Sequence, residues 1–404
     1  MLEGLKVVEF STWVAGPSAA MVMADWGADV IKVEGRDGDP VRNLFALRED
    51  WTTNPVFELE NRGKRGVVLD IASADGREAL LRILDGADVF ITNLRPGSLA
   101  RAGLDYAAIQ ARLPRLIYVS VSGYGLDGDE ANLPAFDIAA LWTRSGVAGA
   151  TIPDGVDPFP CRPGMGDSIC ALASVSAALA AVVERQVTGK GRLVETSLMR
   201  TGAYAIGWDL SIQLRYGEHN RSLPRHRTQS PVANYFRSAD GGWVNISVRA
   251  PRDWPAVATA AGKPHLVEDP RYATPADRMA NAASLLAELD EAFGAMSRAE
   301  MARRLTEHDL IWAPLQSLAE LAQDPQAHAA GCFVEVEDRD GQRFLAPTPP
   351  ARFHGAEHGP RRPAPALGAD TREVLRQAGY SDAEVERLVS SGAVGAPAGV
   401  PAVA

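Results

Sequence analysis

The first forty residues leave the chain few folds to choose from. Lys6-Val7-Val8-Glu9-Phe10 has the pattern of a short buried strand, Val14-Ala15-Gly16-Pro17-Ser18 forms a turn, and residues 19–26 read as a helix stopped by Gly27. Ala28-Asp29-Val30-Ile31-Lys32-Val33-Glu34 gives a second strand. Strand, helix and strand at this spacing make a βαβ unit, which demands a parallel sheet covered by helices. Further strands are expected at 67–71, 87–91, 116–122 and 192–197, with helices at 75–84 and 167–185, so the fold class is α/β. The first turn lacks Gly-x-Gly-x-x-Gly, which discounts NAD and FAD.

A chain of 404 residues has room for one large or two ordinary domains. The pattern breaks at 220–231, where Arg221, Arg225, His226 and Arg227 mix with two prolines, and a smaller unit starts there. It carries a hairpin about Asp240-Gly241-Gly242, helices at 251–261, 281–293 and 298–308, and a strand at 311–315. A second hairpin turns at Asp340-Gly341, helices follow at 369–378 and 381–390, and the small residues and prolines of 391–404 read as a disordered tail. The net charge of −10 argues against nucleic acid as a partner. Cys161, Cys170 and Cys332 have no metal-ligand spacing, and the N-terminus lacks the basic and apolar regions of a signal peptide. A cytoplasmic protein with no metal and no membrane partner is expected.

Three stretches carry candidate chemistry. In Gly164-Met165-Gly166-Asp167, Asp167 heads an alanine-rich apolar run that reads as a buried helix. It is either that helix's N-cap or a nucleophilic carboxylate beside glycines that admit a substrate. Arg62-Gly63-Lys64-Arg65 is either a solvated turn or a phosphate clamp. Asn93, Arg95 and Arg101 follow the strand at 87–91, on the side where open α/β sheets bind ligands.

The order and spacing of Ala15-Gly16-Pro17, Asn61-Arg62-Gly63-Lys64-Arg65, Asn93-Leu94-Arg95-Pro96-Gly97 and Gly166-Asp167 resemble the class III CoA-transferases, whose fold is shared with α-methylacyl-CoA racemase. The resemblance runs from about Leu5 to about Tyr380. It implies a Rossmann-like large domain and a smaller α+β domain in an interlocked homodimer. The large domain would take 1–220 and 325–390, with linker and small domain at 221–324. It implies acyl-CoA and a carboxylic acid as substrates, CoA carried as substrate with no permanently bound cofactor, and Asp167 as the nucleophile. Ala15, Arg36 or Arg42, Lys64, Arg65, Asn93, Leu94 and Arg101 would contact CoA.

Two departures bear on substrate and reaction. Val14 stands where formyl-CoA transferases resemble one another in carrying Gln, and 228–234 has no glycine run, so formyl and oxalyl groups are not expected. Phe136 stands where the racemases carry the histidine that moves the α-proton, which ranks racemase behind transferase. A non-catalytic acyl-CoA-binding protein ranks third. Trp13, Val14, Phe136 and Trp142 line either an apolar acyl pocket or ordinary core.

Overall fold

Six strands make one parallel sheet in the order β3-β2-β1-β4-β5-β6. They are β1 (Lys6–Phe10), β2 (Asp29–Glu34), β3 (Arg65–Val68), β4 (Val89–Thr92), β5 (Ile117–Ser122) and β6 (Leu193–Ser197). The computed structural model describes residues 1–44, 54–219, 221–227, 230–356 and 359–395. Between the strands run α1 (Ala15–Asp25), α2 (Pro55–Asn61), α3 (Ala74–Asp85), α4 (Pro96–Ala102), α5 (Tyr106–Arg112), α6 (Val147–Thr151) and α7 (Met165–Thr188). After β6 the helical run divides at Ile206 into α8 (Leu198–Ala205) and α9 (Gly207–Tyr216), because the Ile206 backbone leaves helical geometry.

Contacts divide the chain into two units. The first holds 1–149, 160–218 and the chain from 328; the second holds 150–159 and 219–327. The second unit is built on β7 (Asn234–Arg237), β8 (Trp243–Ser247) and β9 (Ile311–Pro314), an antiparallel sheet. Its helices are α10 (Trp254–Ala260), α11 (Pro275–Ala280), α12 (Ala282–Gly294), α13 (Arg298–Glu307) and α14 (Leu318–Gln323), and α15 (Pro325–Ala329) runs across the point where the chain passes back to the first unit. Residues 150–159 join this unit because Ser222 receives the Asp154 N–H and donates its hydroxyl to the Ala150 carbonyl. Arg225 in the boundary loop is not a solvated charge, since it grips Asp290 and the Tyr235 carbonyl.

Back in the first unit come the hairpin β10 (Phe333–Glu337) and β11 (Arg343–Pro347), then α16 (Thr371–Gln377) and α17 (Asp382–Ser390). Their apolar residues Val374, Leu375, Val385 and Leu388 share one core with Val8, Val33, Val67 and Phe90 of the sheet. The same segment seals the outer edge of β3. Asp370 and Thr371 accept from the N–H groups of Gly66 and Val68, and Val394 pairs with Leu69. An open strand edge is a liability, and here it is closed from the far end of the chain. Residues 391–395 therefore belong to the fold and not to a tail, and 396–404 lie outside the described residues.

Beneath β1 to β3 lies a buried set of ion pairs. Glu9 accepts from Lys32 at 3.1 Å and from Lys64 at 2.8 Å, all three side chains being fully buried. Lys64 fills its other two donor positions with Asn61 Oδ1 and the Pro17 carbonyl, both at 2.9 Å. Lys32 continues to Asp39 at 2.9 Å, while Glu34 holds Arg42 through two bonds of 2.7 Å. Burial opposes charge on Glu9, but the two lysines outweigh it and leave its pKa lowered. Removing one member strands a buried charge, so Lys64→Met should cost about 3–5 kcal/mol in urea unfolding. A loss below about 1 kcal/mol would show the network to be dispensable.

Candidate active site

β1 and β4 are sheet neighbours far apart in the chain, so strand order reverses between their carboxyl ends. Sheets of this order bind ligands in that crevice. The loop leaving β1 is tied down residue by residue. Lys32 donates to the Ser11 carbonyl at 3.4 Å, and Asp39 accepts from the Trp13 N–H at 3.2 Å. The Asn93 amide accepts from the Thr12 N–H at 2.9 Å and donates to the Thr12 carbonyl at 2.6 Å. Under these ties Trp13 takes a φ of 66°, a left-handed backbone that bulky residues rarely adopt. α1 then starts with no side-chain cap and no acidic residue in its first turn, which leaves the positive end of its dipole uncompensated.

The start of α7 lies beside that of α1. Val14 Cγ1 is 3.8 Å from where a Cβ on Gly164 would stand. Gly164, with φ of 81°, stands at the N-cap position and the helix begins at Met165, so Asp167 is its third residue and not its cap. Capping falls instead to Asp137, whose Oδ2 accepts from the Gly166 N–H at 3.1 Å. A Cβ on Gly166 would come within 2.9 Å of the Asp137 Cβ, so a glycine is required for this approach. Asp137 leads a π-helical turn, Ile138–Arg144, a form that recurs at functional sites.

Two carboxyl groups thus meet at one helix start. Asp167 is half-buried, and burial, then the charges of Asp137 and Glu60, push its pKa up to about 7. The helix N-terminus does not keep it ionised, because the Gly166 N–H is committed to Asp137. Glu60 drew no attention in the sequence. It is buried on the face of α2 that carries Phe57, it receives the Ser18 hydroxyl of α1, and burial pushes it up to about 7 against the pull of Ser18, Lys64, Arg62 and Lys32. Its one sequence signal was the three-residue spacing from Phe57 on a short amphipathic helix.

The expected CoA contacts divide into two groups. Ala15 opens α1, and Asn93 and Leu94 follow β4, at the crevice. Arg101 of α4 is exposed and bonded to Ser98 Oγ at 3.1 Å. Arg36 also faces outward, although it touches Asp70 and the Gly392 carbonyl. The remaining cations are turned to carboxylates. Arg42 grips Glu34, Arg65 grips Asp29 at 2.6 and 3.0 Å, Arg62 grips Asp25, and Lys64 is enclosed with Glu9. The turn at 62–65 is therefore a set of structural ion pairs and not an open phosphate clamp, because carboxylates of the sheet and of α1 lie within reach of every cation in it. Trp142 is buried, whereas Phe136 is exposed and meets Trp13 edge-on at 5.1 Å. Among the described residues no cluster of His, Cys, Asp and Glu could hold a metal ion.

The chain is similar to known proteins over nearly its whole length. The family described as CoA-transferase family III matches residues 2–371. Identity is 32% to (R)-2-hydroxy-4-methylpentanoate CoA-transferase of Clostridioides difficile, over 97% of this chain and 98% of that enzyme. It is 30% to cinnamoyl-CoA:phenyllactate CoA-transferase of Clostridium sporogenes, over 96% of each. A solved CaiB/BaiF family protein from Brucella suis matches with a TM-score of 0.83 at 28% identity, over 93% of this chain and 99% of that one.

A carbon-13 NMR titration of the Asp167 carboxyl should show a midpoint near 7, and Asp137→Asn should lower it by removing a neighbouring charge. A midpoint near the ordinary 3.8 in the unaltered protein would contradict this electrostatic picture. The raised pKa also means that the folded state holds its proton longer than the unfolded chain. Stability contributed by Asp167 should therefore fall as pH rises from about 4 to about 7.

Proposed function

From the premise that this chain belongs to CoA-transferase family III, we propose that it moves CoA between carboxylic acids with apolar side chains, using Asp167 as nucleophile. The observation that carries the reading is the half-buried Asp167 carboxyl beside two helix N-termini, the α1 terminus being uncapped. The Asp167 carboxylate attacks the thioester carbonyl, and the carbon–sulfur bond breaks to give a mixed anhydride and CoA thiolate. The thiolate then attacks the aspartyl carbonyl and expels the first acid, leaving an aspartyl-CoA thioester. The acceptor carboxylate repeats these steps in reverse order. An anhydride keeps the activation of a thioester, which a serine ester would lose. The N–H groups of Ala15, Gly16 and Asp167 are the donors we assign to the tetrahedral oxyanions.

For CoA we assign Arg101 and Arg36 to phosphate groups, and Leu94 with the Asn93 backbone to the pantetheine arm. The Asn93 side chain is engaged with Thr12 and acts by holding the β1 loop. Trp13, Phe136 and Val14 form the wall against which the acyl group lies. Two of the relatives are named for 2-hydroxy-4-methylpentanoate and phenyllactate, and this wall suits such chains. Phe136 carries no transferable proton, so α-proton exchange is not part of the reaction.

We also infer a homodimer, interlocked as in the family it resembles. The stripe Gly166, Cys170, Ser174, Ala178 of α7 is buried, and α7 packs on α1, yet Val187 is 88% exposed. Tyr204 and Trp208 on the following helices are 87% and 84% exposed. Apolar residues at such density fit contact with a second copy. Light scattering should give twice the chain mass, and a monomer at micromolar concentration would remove this assignment.

Hydroxylamine added during acyl-CoA turnover should convert Asp167 to the hydroxamate, and Asp167→Ala should abolish transfer. Turnover with Asp167 unmodified would sink the mechanism. With acid panels, 4-methyl-2-hydroxypentanoate and phenyllactate should accept CoA while formate and oxalate do not. Because the nucleophile must be ionised, kcat/KM should climb with pH to a plateau above about 7, and Asp137→Asn should extend that plateau downward.

A further inference from the structure

The second unit has an open pocket of about 310 Å³ with walls that include Pro231, Val232, Val248 and Trp254. Two arginines reach it, and their charges are balanced differently. Arg249 is paired with Asp253 and Asp309. Arg278 has no carboxylate on its guanidinium among the described residues, although it is only 6% exposed. Its Nη1 donates to the carbonyls of Tyr272 and Ala273 at 2.8 and 3.2 Å. Nε and Nη2 make no hydrogen bond to any described residue. The adjacent Asp277 acts on it only through space, its Oδ2 accepting from the N–H and hydroxyl of Thr274. Burial accordingly lowers the Arg278 pKa, with Asp277 opposing. The guanidinium lies 5.5 Å from the Trp254 ring, and Trp254 Nε1 is buried without an acceptor.

A largely buried cation with two donor positions left over at the wall of an open pocket is suited to an anion. We propose that this pocket binds a small organic monocarboxylate, its two oxygens on Nε and Nη2 of Arg278 and its apolar tail against Val232, Val248 and Trp254. The geometry of a guanidinium edge matches a carboxylate. One uncompensated charge and apolar walls disfavour a phosphate, which carries more charge than the site can neutralise. The site lies wholly within the second unit and stands or falls independently of Asp167 chemistry.

The test is calorimetric titration of 3-phenylpropanoate into the full-length Asp167→Ala protein, with 3-phenylpropanol and inorganic phosphate as controls. We expect saturable binding of the acid alone. Arg278→Gln should weaken it ~10-fold or more, the effect of losing a hydrogen-bonded charge. Ala250→Leu, which fills the pocket and leaves every charge in place, should abolish it without changing the melting temperature. Should Arg278→Gln fail to fold, Ala250→Leu decides. The Trp254 indole N–H resonance, assigned through Trp254→Phe, should move on titration. Equal binding in wild type and Ala250→Leu, tighter binding of phosphate than of the acid, or a stationary Trp254 resonance would each overturn the proposal.

Discussion

Glu9 shares its carboxylate between two fully buried lysines, and the site depends on that arrangement more than on any other. Two ammonium groups and one carboxylate cannot sit together in a dry interior without further anions, and Asp39 and Glu34 supply them on the far side of Lys32 and at Arg42. Each lysine then has a donor left over, and these donors go to backbone carbonyls of the β1 loop and of the first turn of α1. Lys32 takes Ser11 and Lys64 takes Pro17, while Asp39 accepts from Trp13. A left-handed tryptophan is costly and persists only where surrounding contacts over-determine it. Here those contacts come from Asp39, Lys32 and Asn93.

The same economy of donors shapes the carboxyl pair. A helix start offers few free N–H groups, and the one at Gly166 goes to Asp137. Asp137 is thereby held as a buried neighbour of Asp167, and the two charges repel. In the free protein Asp167 lies at the border between acid and carboxylate. A carboxylate poised this way is a stronger nucleophile once ionised than one stabilised by several hydrogen bonds, and burial denies it solvent that would blunt it further.

The second unit shows the converse case, a buried cation whose charge is left unbalanced. Arg278 is held by two backbone carbonyls and faces an indole, so its position is fixed while its charge is not compensated. Structural arginines of this chain look different: Arg62, Arg42 and Arg65 each grip a carboxylate with two nitrogens.

Local pattern was enough for much of this protein. The strand and helix of the first βαβ unit, the two hairpins, the glycine before Asp167 and the aspartate itself were all legible, because turn chemistry and apolar periodicity act over a few residues. The family resemblance rested on such local motifs. What pattern did not decide was where charges point. Lys64 and Arg65 read as part of either a solvated turn or a phosphate clamp, yet Lys64 is enclosed with Glu9, 55 positions away, and Arg65 is paired with Asp29, 36 away. Glu60 had no reading from pattern at all and is buried beside Ser18. Pattern left Asp167 as either a cap or a nucleophile, and in the fold Asp137 does the capping from 29 positions upstream of Gly166. Sequence determined the elements and the residue types available, because those follow from backbone preference and short-range spacing. Tertiary structure alone decided which charges are paired, which are buried and which stay exposed, because ionisation and hydrogen bonding depend on neighbours that only the folded chain brings within about 3 Å.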